Sequence, residues 1–61
     1  MHKIEIVEAQ EGLYNVLING FAYKLHKGLD ADTAEARAIA LRNSYRSIGE
    51  KARIIRFEEH A

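Results

Sequence analysis

The sequence predicts an α+β fold of order β-β-β-α-β: a four-stranded, mainly antiparallel sheet with one helix packed on one face. Three observations carry this. Apolar residues alternate through the first half of the chain, Asn19-Gly20 interrupts that alternation, and an alanine-rich stretch with helical periodicity precedes a short closing run of alternating character. The 61 residues make one small domain, 1–61, of a size that buries only about 60% of the surface its unfolded chain exposes.

Lys3 to Ala9 alternates as a strand, with Ile4 and Ile6 on one face and Lys3, Glu5 and Val7 on the other. Gln10-Glu11-Gly12 supplies its turn. Leu13 to Ile18 and Phe21 to Lys27 form the next two strands around Asn19-Gly20, whose two residues suit a type I′ turn because both central positions need positive φ. A two-residue loop sets the register, so Ile18 opposes Phe21, Val16 opposes Tyr23 and Tyr14 opposes Leu25 on the core face. The other face carries Leu13, Asn15 and Leu17 against His26, Lys24 and Ala22.

Two aspartates, Asp30 and Asp32, are candidate N-caps. Asp32 with Glu35 three residues on has the form of a capping box, which starts the helix at Thr33. Ala34, Ala38, Leu41, Tyr45 and Ile48 fall on one stripe, arginines follow the acids of the first turn, and Gly49 takes the place just past the end. Ala52 to Glu58 reads as the last strand, with Ile55 and Phe57 on one face and Ile54 and Arg56 on the other. A meander makes strands one and three parallel, and a returning helix delivers strand four parallel to both. Strand four then joins either strand three or strand one, and the place beside strand one is the expected one. One helix covers one face, so Val7, Leu13, Leu17, Ala22 and one of Ile54 or Ile55 stay on an open face.

The chemistry is sparse. There is no cysteine, hence no disulfide and no thiolate, which fits a reducing, cytoplasmic setting. No apolar run approaches the roughly 20 residues of a membrane span, and no signal-peptide pattern is present. His2, His26 and His60 lack the close spacing of metal ligands and read as solvated imidazoles, so no metal and no cofactor are expected. Glu5 facing His26 or Lys24 across the sheet would be an ion pair of ordinary cross-strand kind. No nucleophile with a base and no Gly-rich phosphate loop can be placed, and no catalytic residue is assigned.

Nine basic and nine acidic side chains balance, but not evenly along the chain. Residues 1 to 35 hold three lysines against six acids. Residues 36 to 57 hold six basic residues against the single Glu50, and Glu58 and Glu59 follow. Arg42, Arg46, Lys51, Arg53 and Arg56 therefore define a basic edge that phosphates would suit, although helix ends and edge strands carry cations for structural reasons too. Ile39 points away from the helix stripe, about 140° from its centre on a helical wheel.

The expected function is a small non-enzymatic protein-interaction module, a homodimer working through its open sheet face or a strand edge. Its interface residues are Val7, Leu13, Leu17 and Ala22, with Lys24 and His26 as polar rim and Ile39 on the helix. Small size without a reactive site also fits an accessory protein of a phage or mobile element that covers a partner's surface. The alternative is a weak nucleic-acid binder using the five basic residues of the edge.

Overall fold

A computed structural model describes residues 1–56 of the chain. Strands β1 (His2–Gln10), β2 (Leu13–Ile18) and β3 (Phe21–Ala22) precede the helix α1 (Ala31–Ser47), and β4 (Ala52–Ile55) follows it. The sheet order is β3-β2-β1-β4, antiparallel except for the parallel pair β1 and β4. The expected architecture is therefore present, with strand four beside strand one. Among the described residues no helix is long and apolar enough to cross a membrane.

Period-two alternation places Ile4 and Ile6 of β1, Tyr14 and Val16 of β2, and Ile54 of β4 on the face that α1 covers. Ala34 and Ala38 are the helix residues buried against them, and Leu29, Leu41, Tyr45 and Ala52 complete the cluster. Residues of one methyl group at the centre of the contact let the helix backbone lie close over Ile4 and Val16, which are fully buried.

Both helix ends are closed by hydrogen bonds. The N-cap is Asp30, two residues earlier than the capping-box reading gave: its Oδ1 accepts from Thr33 N at 2.7 Å, which holds the Asp30 carboxyl below its usual range. Glu35 is thereby free of capping and pairs elsewhere. At the other end Gly49 N donates to Arg46 O at 3.1 Å and Glu50 N to Tyr45 O at 2.9 Å, the bonding of a Schellman ending. Ile48 is the C-cap and is 73% exposed, so it leaves the apolar stripe assigned to it.

The largest departure from the sequence reading is the second hairpin. Asn19 and Gly20 have φ of 52° and 87°, as a type I′ turn requires, and Ile18 opposes Phe21 as expected. The third strand then stops at Ala22, after only two residues, and Lys24–His26 forms a turn of 3-10 helix. Tyr14, which was to oppose Leu25, instead bridges Leu29: Tyr14 N donates to Leu29 O at 2.6 Å and Leu29 N to Tyr14 O at 2.9 Å. The chain thus loops out between Ala22 and Leu29, and Leu29 packs on the core in place of Leu25. Asn15 Oδ1 accepts from Gly28 N at 3.0 Å, and Gly28 turns there with φ of 67°, a conformation that costs glycine little. The Val16–Tyr23 and Tyr14–Leu25 pairings therefore do not form. The expected positions of Phe57 in the last strand, and of Glu58, Glu59 and His60, lie outside the described residues.

The close approach at the alanines gives a direct test. Ala38→Leu, inserting three carbons against fully buried Ile4 and Val16, is expected to cost about 1–3 kcal/mol. Ala40→Leu, on the exposed side of the helix, should be nearly neutral by chemical denaturation.

Candidate functional site

The face of the sheet away from α1 is built by the other half of the alternation. The registers place Ala22, Leu17, Glu5 and Ile55 in one row across β3, β2, β1 and β4. Val7 and Asn15 lie opposite one another in the next row, and Lys3 and Arg53 in the row on the other side. Of the two isoleucines in β4, Ile55 is the one on this face. Val7, Leu17 and Ala22 are half-buried and Leu13 exposed, so these four of the expected interface residues do share one surface, with half-buried Ile55 beside them and Leu13 at its end.

Glu5 sits in the apolar row, flanked by Leu17 and Ile55 and in line with Ala22; Lys24 and His26, the residues expected to face it, lie outside the sheet. Its side chain is 16% exposed, and Lys3 Nζ stands 3.7 Å from its Oε1. A carboxylate this far into an apolar row is held by its neighbouring cation and leaves a face of mixed sign, with Lys3 and Arg53 beside it.

Lys24 and His26, the expected rim of this face, lie in the 3-10 turn instead. The reason is the excursion closed by the Tyr14–Leu29 bridge, which takes residues 23–28 out of the sheet. Ile39 is half-buried rather than turned to solvent; helical spacing puts it on the same flank as Glu35, the flank that meets Arg56.

The basic edge is also divided. Arg56 Nε donates to both Glu35 oxygens at 2.9 and 3.1 Å, and its Nη2 donates to Glu35 Oε1, so this guanidinium is engaged by the helix. Arg53 belongs to the open face, opposite in the sheet to the helix that carries Arg42 and Arg46. Arg42 is half-buried and its Nε makes no hydrogen bond. Lys51 is exposed in the connection, where its carbonyl accepts from His2 N at 2.8 Å. These five residues do not form one continuous surface.

Two histidines have structural partners. The His2 ring stacks on Tyr45 with centroids 3.9 Å apart. Its Nδ1 accepts from Asn19 Nδ2 at 3.1 Å and its Nε2 donates to Glu50 Oε1 at 3.3 Å, which ties the hairpin turn to the end of the helix. His26 Nδ1 accepts from Arg37 Nη1 at 3.1 Å, and the same Nη1 donates to Leu25 O at 2.9 Å. Among the described residues no cluster of three or more His, Cys, Asp or Glu side chains is placed to hold a metal ion.

The sequence reading missed the loop that Arg37 anchors. Phe21, Tyr23 and Leu25, all assigned to the core, are 59%, 50% and 78% exposed. The Phe21 and Tyr23 rings meet edge to face at 4.6 Å, and Tyr23 meets His26 edge-on at 6.4 Å. The available signal was Leu29, a second leucine four residues beyond Leu25 that competes with it for the place opposite Tyr14.

Burial and the Arg37 guanidinium both lower the His26 pKa. A lowered imidazole pKa means that the folded loop takes up a proton less readily than the unfolded chain, so its stability is full at neutral pH and declines as pH falls through the ordinary imidazole range. NMR titration should find His26 titrating below the usual histidine value, and Arg37→Gln should move it upward; an unmoved midpoint would contradict the Arg37 contact. Compared with protein-family models, curated proteins and solved structures, the chain gives no match to any of them.

Proposed function

We propose that this chain is a non-enzymatic protein-interaction module that works as a homodimer through its open sheet face. One observation carries the reading: the row Ala22, Leu17, Glu5 and Ile55, with Val7 and Leu13 near it, has apolar side chains on a sheet face that no element of the described chain covers. Four strands and one helix leave such a face by construction, and a thin core gains from a second layer.

The mixed charge of the face favours a second copy as its occupant. In a two-fold interface a patch meets itself, so a patch of one sign repels itself, whereas a patch of both signs is self-complementary when the axis sets opposite charges against one another. Arg53 has no carboxylate within ion-pairing distance among the described residues, and Glu5 lies one row away. Antiparallel stacking of two such faces can bring Arg53 of each copy toward Glu5 of the other. The nucleic-acid reading stands second, because the basic residues it needs divide between the helix flank, the connection and the open face. The accessory-protein role remains part of this proposal only as the kind of biology a small covering module serves.

Sedimentation equilibrium at high micromolar concentration is the test. The chain should sediment as a dimer, and Leu17→Lys should give a monomer of 6.9 kDa with unchanged helical circular dichroism. Leu17 lies on the face away from α1, so the core does not depend on it. A wild-type monomer, or a Leu17→Lys dimer, would overturn the reading.

A further inference from the structure

Phe21, Tyr23 and Leu25 are large apolar side chains within five residues that the fold keeps out of its core, the first two in ring contact. Their exposure follows from defined bonds. The Tyr14–Leu29 bridge fixes both ends of the excursion, Asn15 Oδ1 holds Gly28 N, and Arg37 reaches from α1 to hold Leu25 O and His26 Nδ1. Leu29 fills the place opposite Tyr14, so the triad has no vacant position in the core to return to. An aromatic pair already packed edge to face presents a large contact area with little rotamer freedom left to lose on binding.

The segment that carries the triad, residues 21–28, holds two lysines and no carboxylate. Lys24 and Lys27 are exposed on the same loop, with Arg37 at its base. No carboxylate lies within ion-pairing distance of either lysine among the described residues. An apolar centre with a cationic rim is complementary to a segment that has apolar anchors between carboxylates. It is poorly complementary to itself, because two copies would bring four lysines together.

We propose that the loop of residues 23–28, with Phe21 beside it, is a second docking surface that binds an acidic segment of another protein through apolar anchors. It rests on the reading of the chain as a protein-interaction module but uses residues separate from the open face. Phe21, Tyr23 and Leu25 supply the anchoring contacts, Lys24 and Lys27 attract the carboxylates, and Arg37 acts as a positioning residue for the loop.

The experiment pans a phage-displayed library of random dodecapeptides against the folded full chain, then measures synthetic copies of the enriched peptides by fluorescence anisotropy. Enriched peptides should combine aspartate or glutamate with at least two large apolar residues. Phe21→Ser with Leu25→Ser should weaken their binding about tenfold or more, the loss expected for interface anchors. Lys24→Gln with Lys27→Gln, both at exposed positions, should weaken it severalfold and remove most of its salt dependence. Leu17→Lys should bind these peptides as the wild type does, whatever it does to self-association. The proposal is overturned by no enriched family, by neutral or basic enriched peptides, or by affinity indifferent to both double substitutions. It is equally overturned if those substitutions abolish self-association, since the loop would then be occupied by a second copy.

Discussion

The two backbone hydrogen bonds exchanged between Tyr14 and Leu29 determine how the middle of the chain is apportioned. Because they pair Tyr14 with Leu29 and not with Leu25, four further residues must be accommodated between that point and the Leu17–Ala22 pair. Those residues cannot lie in the sheet, so they leave it as a loop. The same two bonds set Leu29 against the core and place Asp30 immediately after the sheet edge, where its carboxylate caps the helix. Core composition, helix start and loop exposure are thus three results of one register.

The helix then acts as the tie between otherwise separate parts. Its inner face is alanine where contact is closest, and each flank sends one charged side chain outward: Glu35 to Arg56 after β4, Arg37 to the loop after β3. Its end meets His2, whose ring lies on Tyr45 and whose nitrogens bind Asn19 and Glu50. Pairs of this kind at the surface contribute little each, commonly under about 1 kcal/mol. Their value here is positional, since they join segments far apart in sequence across a core of few large residues.

Where alternation was tied to a defined turn, the sequence was legible. Asn19-Gly20 fixed Ile18 opposite Phe21, and the inner residues Ile4, Ile6, Tyr14 and Val16 followed from period two. The parallel direction of β4 followed from chain direction, whereas connectivity left it a place beside β3 or β1, and the structure has it beside β1. The excursion was not legible, because Phe21, Tyr23 and Leu25 continue the alternation without a break and local pattern cannot choose between Leu25 and Leu29 opposite Tyr14. That choice is made by tertiary bonds from Asn15 and Arg37, residues with no local reason to specify a loop. The N-cap was misplaced for a related reason: Glu35 satisfied the form of a capping box at Asp32, yet its carboxylate is engaged by Arg56. Alternation does place Val7, Leu13, Leu17 and Ala22 on the face away from the helix, and Lys24 and His26 leave it with the loop.

The parallel pair of β1 and β4 has a consequence for how the chain acquires its structure. His2 to Glu5 meet Ala52 to Ile55, so the sheet joins segments from opposite ends of the described chain. Synthesis delivers β1 first and β4 only after the hairpins and α1 have emerged. A β1 paired with β2 alone has unpaired amide and carbonyl groups along its other side, the side that β4 takes in the complete fold. Closing the pair requires ordering nearly everything between, a contact of high sequence separation that slows folding relative to the local hairpin. Until β4 docks, that edge of β1 is open to pairing with other chains, and β4 is the element that closes it.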